Sequence, residues 1–175
     1  MFLLDPQKSY PKRTHTRSVI RFQDCDPLRH LNNAKYFDYY FNAREDQQAL
    51  LYGLRSDYTF RQYNASWVVY NHQIAYVRPA NVSEWVDIIT SVIFFNDTTK
   101  VTEYVMADET GRELKNLLWT TSKYISVETG RVIEHQPDLM DYLRAVTVEG
   151  VDFEHITFNE RVRQVKRELA EGRYV

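Results

Sequence analysis

Residues 34–51 read AKYFDYYFNAREDQQALL, and this stretch predicts one long helix. Its apolar residues recur at helical spacing and cover more than half of the circumference; they are Tyr36, Phe37, Tyr40, Phe41, Ala43, Leu50 and Leu51. Asn32 or Asn33 can cap the start of this helix, and Gly53 fits the position after its last turn. A helix with so broad an apolar surface suits a curved sheet that wraps it better than a flat one.

Five segments around this helix have the composition of β-strands. One strand precedes the helix, at residues 16–24. After the helix a loop is expected at residues 54–65, and four strands follow at residues 66–78, 84–95, 100–108 and 113–127. Each strand is rich in β-branched and aromatic residues, and short turn sequences separate the last four. Because such short spacers cannot hold a crossover helix, the four strands are predicted to be antiparallel neighbours or nearly so. The order strand, helix, four strands predicts an α+β fold.

The rest of the chain divides into an arm and a tail. Residues 1–15 are polar and contain two prolines, so we expect a loosely held arm before a body at residues 16–140. Short helices are predicted at residues 137–145 and 159–172. Residues 141–175 are therefore expected to form a helical appendage, packed on the body or on a partner subunit.

The composition excludes several classes of protein. A length of 175 residues fits a single domain, and 13 Tyr, 9 Phe and 3 Trp are typical of a folded chain rather than a disordered one. Cys25 is the only cysteine, so a disulfide-stapled secreted scaffold is excluded. Lys and Arg number 22 against 24 Asp and Glu, without the basic excess of a nucleic-acid-binding protein. No membrane span or export signal is recognisable, and we expect a cytoplasmic protein.

Common local signatures of catalytic and metal sites do not occur in the sequence. It contains no glycine-rich phosphate loop, no HExxH, no CxxC and no GxSxG. Its five histidines lack the spacing of metal ligands. We therefore expect neither a metal nor a redox cofactor.

Polar residues are concentrated at the junction between the first strand and the helix, where residues 24–33 read DCDPLRHLNN. A helix start presents unpaired N–H groups and a partial positive charge, which suit a developing oxyanion. Backbone donors and a nearby carboxylate together can polarise an acyl carbonyl and activate a nucleophile. The alternative is that Asp24 and Asp26 are ordinary turn or capping residues and that His30 is a structural hydrogen-bonding group.

Two segments resemble the signature of hotdog-fold thioesterases. Residues 24–36 are similar to the acid-x-Asp and extended loop of the 4-hydroxybenzoyl-CoA thioesterase-like group. Within them, HLNNAKY at residues 30–36 is similar to the His-Val-Asn-Asn-x-x-Tyr stretch of acyl-ACP thioesterases. YVRPANVSE at residues 76–84 is similar to the family's Tyr-x-x-Pro-Ala-x-x-Gly-Asp segment. The resemblance covers residues 16–140 and implies a hotdog fold, a five-stranded antiparallel sheet wrapped around a long central helix, with a C-terminal helical appendage.

The resemblance also implies roles for residues of the junction. Asp26 matches the catalytic carboxylate, which either attacks the thioester carbonyl or activates a water. His30 matches the histidine of acyl-ACP thioesterases and would orient water or substrate; the alternative is a packing histidine. Backbone N–H groups near Asn32 and Asn33 would bind the carbonyl oxygen of the substrate. The aromatic residues of the helix either line an acyl tunnel or belong to the core.

The implied function is hydrolysis of an acyl-CoA or acyl-ACP thioester to free acid and thiol, by a homodimer or homotetramer. CoA or phosphopantetheine enters only as part of the substrate, and no nucleic acid or membrane partner is expected. Two alternatives stay open: a non-catalytic acyl-CoA-binding or regulatory module, and a dehydratase or hydratase. The sequence departs from the family at Arg29 and Ser83, where glycine is usual, and at Leu28, where acyl-ACP thioesterases carry asparagine.

Overall fold

A computed structural model describes residue 5 and residues 7–174 of the chain. It contains five strands: β1 (Arg13–Val19), β2 (Ala65–Tyr76), β3 (Trp85–Phe95), β4 (Thr99–Asp108) and β5 (Leu114–Ser126). Its α-helices are α1 (Tyr36–Tyr52), α2 (Tyr58–Tyr63), α3 (Pro137–Val146) and α4 (Phe158–Glu171). The strands form one antiparallel sheet in the order β1-β3-β4-β5-β2. The predicted α+β architecture is confirmed.

Two boundaries differ from the prediction. β1 begins within the predicted arm and ends at Val19, and a short 3-10 turn at Phe22–Asp24 replaces the end of the predicted strand. Of the arm, residues 1–4 and 6 lie outside the described residues. The loop predicted at residues 54–65 is wrong in part, because α2 lies within it. Two distant hydrogen bonds hold this helix, since the hydroxyls of Tyr58 and Tyr63 both donate to Asp138 Oδ2, at 2.9 and 2.7 Å.

α1 packs on one face of the sheet, as its apolar surface predicts. The side chain of Asn32 accepts a hydrogen bond from the N–H of Ala34 at 3.0 Å, so it caps the 3-10 turn that leads into α1. Gly53 ends the helix with φ +70°. The buried residues between α1 and the sheet include Tyr36, Tyr40, Ala43, Ile88, Tyr104, Met106 and Leu118.

α4 packs on the opposite face of the same sheet. Side chains alternate along a strand, so Tyr104 of β4 faces α1 whereas Glu103 faces α4. Val165 and Leu169 of α4 are buried there against residues of β3, β4 and β5. The tail therefore packs on the body of its own chain.

A buried ion pair joins α4 to the sheet. Arg161 lies 2.7 and 2.9 Å from the two carboxylate oxygens of Glu103, and the two side chains are 1% and 0% exposed. Trp119 Nε1 and the hydroxyl of Tyr174 also donate to Glu103, each at 2.8 Å. Burial alone would raise the pKa of Glu103, but these partners lower it below its usual value. The Glu103–Arg161 ion pair therefore fixes the position of α4 on the sheet.

The connection between β2 and β3 positions the functional region. These strands are consecutive in the chain but are not neighbours, since β2 lies at the sheet edge beside β5 and β3 pairs with β1 and β4. Residues 77–84 therefore cross the sheet, and on the way they pass the segment that precedes α1. None of the helices in the described part of the chain is long and apolar enough to span a membrane.

Candidate active site

Asp26 closes a tight turn between β1 and α1. Its Oδ1 accepts hydrogen bonds from the N–H groups of Leu28 and His30, at 2.9 and 3.0 Å, and its own N–H donates to the carbonyl of His30 at 2.8 Å. No hydrogen bond reaches its Oδ2 within residues 5 and 7–174. The turn thus holds a half-buried carboxylate and leaves one of its oxygens open.

The two segments that resemble thioesterases lie against each other. The N–H of Leu31 donates to the carbonyl of Ala80 at 2.8 Å, and that of Val82 donates to the carbonyl of Arg29 at 2.9 Å. A β-bridge joins His30 to Asn81 between these two bonds. Backbone hydrogen bonds thus join residues 24–36 to residues 76–84, which are distant in sequence.

The two positions at which glycine is usual in the family keep a glycine-like backbone. Arg29 has φ +67° and Ser83 has φ +66°, both in the left-handed region that non-glycine residues seldom adopt. The loops therefore follow a path that favours glycine although neither residue is one. The carbonyl of Arg29 accepts a hydrogen bond from the N–H of Val82, and the N–H of Ser83 donates to the carbonyl of Ile20, so a backbone bond holds each residue in place.

Backbone donors at the helix start differ in availability. The N–H of Asn32 donates to the carbonyl of Asp24 at 2.9 Å, so it is occupied. The N–H of Asn33 has no acceptor among the residues that the structure describes. Of the two predicted oxyanion donors, Asn33 has the open N–H group, and Asn32 caps the turn that presents it.

Asp24 and His30 differ from Asp26 in their contacts. Asp24 accepts a hydrogen bond from the Tyr39 hydroxyl at 3.0 Å and lies 3.8 Å from Lys35 Nζ, so both its oxygens face structural partners. The imidazole of His30 forms no hydrogen bond within the described part of the chain. Between Asp24 and Asp26, burial first and then the two carboxylate charges raise the pKa of the Cys25 thiol. Of the two carboxylates, Asp26 is therefore the one with an open oxygen.

Sequence reasoning missed Tyr76 as a site residue. Its hydroxyl donates to the carbonyl of Asn33 at 3.1 Å, and its ring lies edge-on to Tyr36 with the centroids 5.3 Å apart. Burial raises the pKa of Tyr36 to about 12, and the charge of Asp26 adds a smaller increase. Tyr76 begins the second family-like segment, which is the one signal that points to it.

The aromatic residues of α1 divide between core and surface. Tyr36 and Tyr40 are 3% and 0% exposed and belong to the core. Phe37 and Phe41 form a strip beside His72 of β2, with ring centroids 4.9 and 6.0 Å from the imidazole. The core alternative is confirmed for Tyr36 and Tyr40, and a role in lining an acyl tunnel stays a prediction for Phe37 and Phe41.

Metal binding finds no support in the geometry. Within residues 5 and 7–174, no three His, Cys, Asp or Glu side chains are grouped so that they could hold a metal ion. The chemistry available at the junction is that of a carboxylate, an open backbone donor and a nearby imidazole.

Comparisons with known proteins show the family and the fold of this chain. A family model described as the acyl-ACP thioesterase N-terminal domain matches residues 12–142. Among curated proteins, none matches the sequence.

Several solved structures share the fold. DHNA-CoA thioesterase from Staphylococcus aureus is 20% identical, with a TM-score of 0.67, over 93% of this chain and 97% of that one. The 12:0-ACP thioesterase from Umbellularia californica is 14% identical, with a TM-score of 0.73, over 83% and 55%. A Lactobacillus plantarum protein described as a candidate oleoyl thioesterase is 21% identical, with a TM-score of 0.70, over 79% and 53%.

This chain spans about half the length of the Umbellularia and Lactobacillus proteins. At these identities the likeness shows the fold, which is the predicted hotdog fold. The match over residues 12–142 shows the family as well. The chain belongs to the family of the acyl-ACP thioesterase N-terminal domain, a family of thioester hydrolases.

Proposed function

We propose that this chain hydrolyses acyl thioesters of CoA or acyl carrier protein, with Asp26 as the catalytic carboxylate. One observation carries the proposal: Asp26 has an open Oδ2 in the turn that leads directly to the open N–H of Asn33. A carboxylate and an oxyanion donor are the two groups that acyl transfer to water requires. Family membership supports the same reaction.

In this mechanism the thioester carbonyl points at the start of α1. The N–H of Asn33 donates to the carbonyl oxygen, and the helix dipole stabilises the negative charge that develops on it. In one route Asp26 Oδ2 attacks the carbonyl carbon, the thiolate leaves, and water then hydrolyses the acyl-aspartyl anhydride to the free acid and the carboxylate, with the released proton going to the thiolate. In the other route Asp26 takes a proton from the water that attacks the carbon and passes it to the leaving thiolate. His30 orients the water or the substrate. Tyr76 holds the carbonyl of Asn33 and so steadies the oxyanion donor.

A panel of acyl thioesters tests this function directly. Purified protein is mixed with short, long and aromatic acyl-CoAs and with acyl carrier protein thioesters, and free thiol is measured over time. We expect hydrolysis of at least one class, unchanged by EDTA. Tight binding without thiol release would instead identify the binding module, and hydration of an enoyl-CoA without thiol release would identify a hydratase.

The active form is proposed to be a homodimer joined through β2. This strand lies at the sheet edge, with no neighbour on its outer side in the described part of the chain, and its exposed side chains include Val68, Val69 and Tyr70. An exposed apolar edge is a template for pairing with another strand. The opposite edge, β1, is shorter and carries Arg13 and Arg17. Because α4 covers the far face of the sheet, face-to-face stacking of two sheets is blocked.

Sedimentation tests the dimer. We expect the wild type to sediment at about twice the chain mass of 20.9 kDa, and Val69→Lys to shift it towards the monomer, because an edge lysine opposes strand pairing. Leu50→Lys is the matched control, since Leu50 is also apolar and exposed but lies on α1. A monomeric wild type, or equal effects of both variants, would contradict an interface at β2.

A further inference from the structure

A cavity of about 300 Å³ lies between α1, α2, β2 and β4, at a distance from the Asp26 turn. Three of its walls are aromatic, formed by Phe41, Trp67 and Tyr104. Two cations, Arg44 and Lys100, also line it. The combination of aromatic walls and two positive charges has no role in the chemistry at the junction.

Arg44 is buried without an anionic partner. It is 7% exposed, and its guanidinium donates to the Tyr142 hydroxyl at 3.0 Å and to Thr90 Oγ1 at 3.4 Å. The guanidinium also lies over the ring of Tyr52, 5.7 Å from its centroid. No carboxylate lies within 4.0 Å of it in the described residues. Arginine has five N–H donors and stays charged, so neutral oxygens leave its charge unbalanced.

Lys100 brings a second charge to the same cavity. Its Nζ lies 3.7 Å from the centroid of the Trp67 ring and has no ion pair among the described residues. Burial first, and then the charge of Arg44, lowers the pKa of Lys100 to about 7. Glu45 also lines the cavity, but it is exposed and pairs with neither cation. An anion in the cavity would offset the cost of holding two like charges together.

α1 runs from the catalytic turn to the cavity, because the helix begins at Tyr36 and contributes Phe41 and Arg44 to the cavity lining. The strip of Phe37 and Phe41 runs from the start of the helix towards it, and the ring of Phe41 lies 5.8 Å from that of Tyr104. With a rise of 1.5 Å per residue in α1 and about 2.0 Å in the 3-10 turn before it, Arg44 lies about 18 Å along the axis from Asn33. A long acyl chain that is held at Asn33 would therefore place its far end near Arg44.

We propose that this cavity binds the far end of the acyl group, and that this end carries a carboxylate held by Lys100 and Arg44. The preferred substrates are then thioesters of dicarboxylic acids. The inference rests on the proposed function for the position of the thioester. The aromatic walls contact the hydrocarbon part of the acyl group, and the two cations bind its distal carboxylate.

A phosphate of the acyl donor is the other anion that could meet these cations. In CoA and in carrier protein, that phosphate is attached to a nucleotide or to a whole protein. A cavity of about 300 Å³ lies at the lower end of the range for ligand sites and does not admit such bulk. The far end of the acyl group has no such attachment.

Paired substrates test the proposal. Dodecanedioyl-CoA and dodecanoyl-CoA have the same chain length and differ in the distal carboxylate. We expect the wild type to prefer dodecanedioyl-CoA in kcat/KM, and Lys100→Met to lower this preference about 10- to 100-fold, as for the loss of a charge-assisted hydrogen bond. Lys100→Arg should restore much of it. Lys123→Met is the matched control, because Lys123 Nζ bonds Thr99 outside the cavity and the preference should stay as in the wild type.

A binding measurement separates this inference from the proposed function. Octanoate and octanamide are titrated into wild type and Lys100→Met by calorimetry. Binding of octanoate over octanamide that requires Lys100 supports the carboxylate site, even if no thioester is hydrolysed and the proposed function fails. A substrate preference and an octanoate affinity that are both unchanged by Lys100→Met overturn the inference. Lys100-dependent binding of 4′-phosphopantetheine without that of octanoate also overturns it.

Discussion

Asp26→Asn is expected to lower thioester hydrolysis at least 100-fold. Asparagine keeps the Oδ1 that accepts the N–H bonds of Leu28 and His30, so the turn stays intact. It replaces the open Oδ2 with an amide nitrogen, which neither attacks a carbonyl carbon nor takes a proton from water. Loss of a positioned base costs about 10²- to 10⁴-fold in rate. The measurement is kcat/KM from thiol release with the best substrate of the wild type, with circular dichroism as a check of the fold.

Asp24→Asn is the matched control for this variant. Both residues are half-buried carboxylates of the same turn region, but the oxygens of Asp24 face Tyr39 and Lys35. We expect this variant to keep its activity to within about threefold, which is the size of an ordinary substitution effect. If Asp26→Asn retained the wild-type rate, the carboxylate mechanism would be wrong. If only Asp24→Asn lost activity, Asp24 rather than Asp26 would be the catalytic carboxylate.

Glu103→Gln is expected to lower the free energy of unfolding by about 3–5 kcal/mol, the cost of removing one partner of a buried ion pair. Glutamine has nearly the same size, but it leaves the charge of Arg161 buried without a counter-ion. The substitution also weakens the bonds from Trp119 and Tyr174, so α4 and the end of the chain lose their attachment to the sheet. Urea unfolding followed by tryptophan fluorescence measures the change.

Two comparisons show whether the buried charge causes this loss. Replacing both partners, in Glu103→Leu with Arg161→Leu, should recover most of the stability, because no charge is then left unpaired. Asp141→Asn removes an exposed pair with Arg144 and should cost less than about 1 kcal/mol. Equal losses for Glu103→Gln and Asp141→Asn would show that burial of the pair is unimportant.

The pH dependence of stability gives an independent measure of the same pair. The pKa of Glu103 is lower in the folded chain than the ordinary value near 4.3. Such a group stabilises the fold above its unfolded pKa, and this stabilisation is lost as the pH falls through the folded pKa. Unfolding of the wild type should therefore become easier below about pH 4.3. In Glu103→Gln this part of the pH dependence should be absent.

Prediction from sequence succeeded where the signal is local. The period of α1 and its Gly53 end are found in the structure, and the Asn32 cap is found one turn earlier, on the 3-10 turn that leads into α1. Four strands were placed within two residues of their observed ends, because β-branched runs and turn residues mark them. The short helix α2 was missed, since distant hydrogen bonds to Asp138 hold it and a local pattern does not contain them.

The candidate site was predictable in part for the same reason. Asp26 and Asn33 stand in one continuous motif, so the local sequence is enough to identify both. Tyr76 joins them only because residues 77–84 cross the sheet beside the segment before α1. Lys100 is one of 22 basic residues, and its sequence neighbours do not distinguish it.

The sequence by itself determined the order of the five strands, α1, α3 and α4, the family-like motifs and the carboxylate proposed for catalysis. These depend on periodicity, on capping and on residues close together in the chain. Only the tertiary structure decided that Glu103 pairs with Arg161, that α4 covers the far face of the sheet, and that Lys100 and Arg44 line one cavity. The physical reason is that burial and charge pairing depend on which faces of distant elements come together. No local pattern in this chain specifies those contacts.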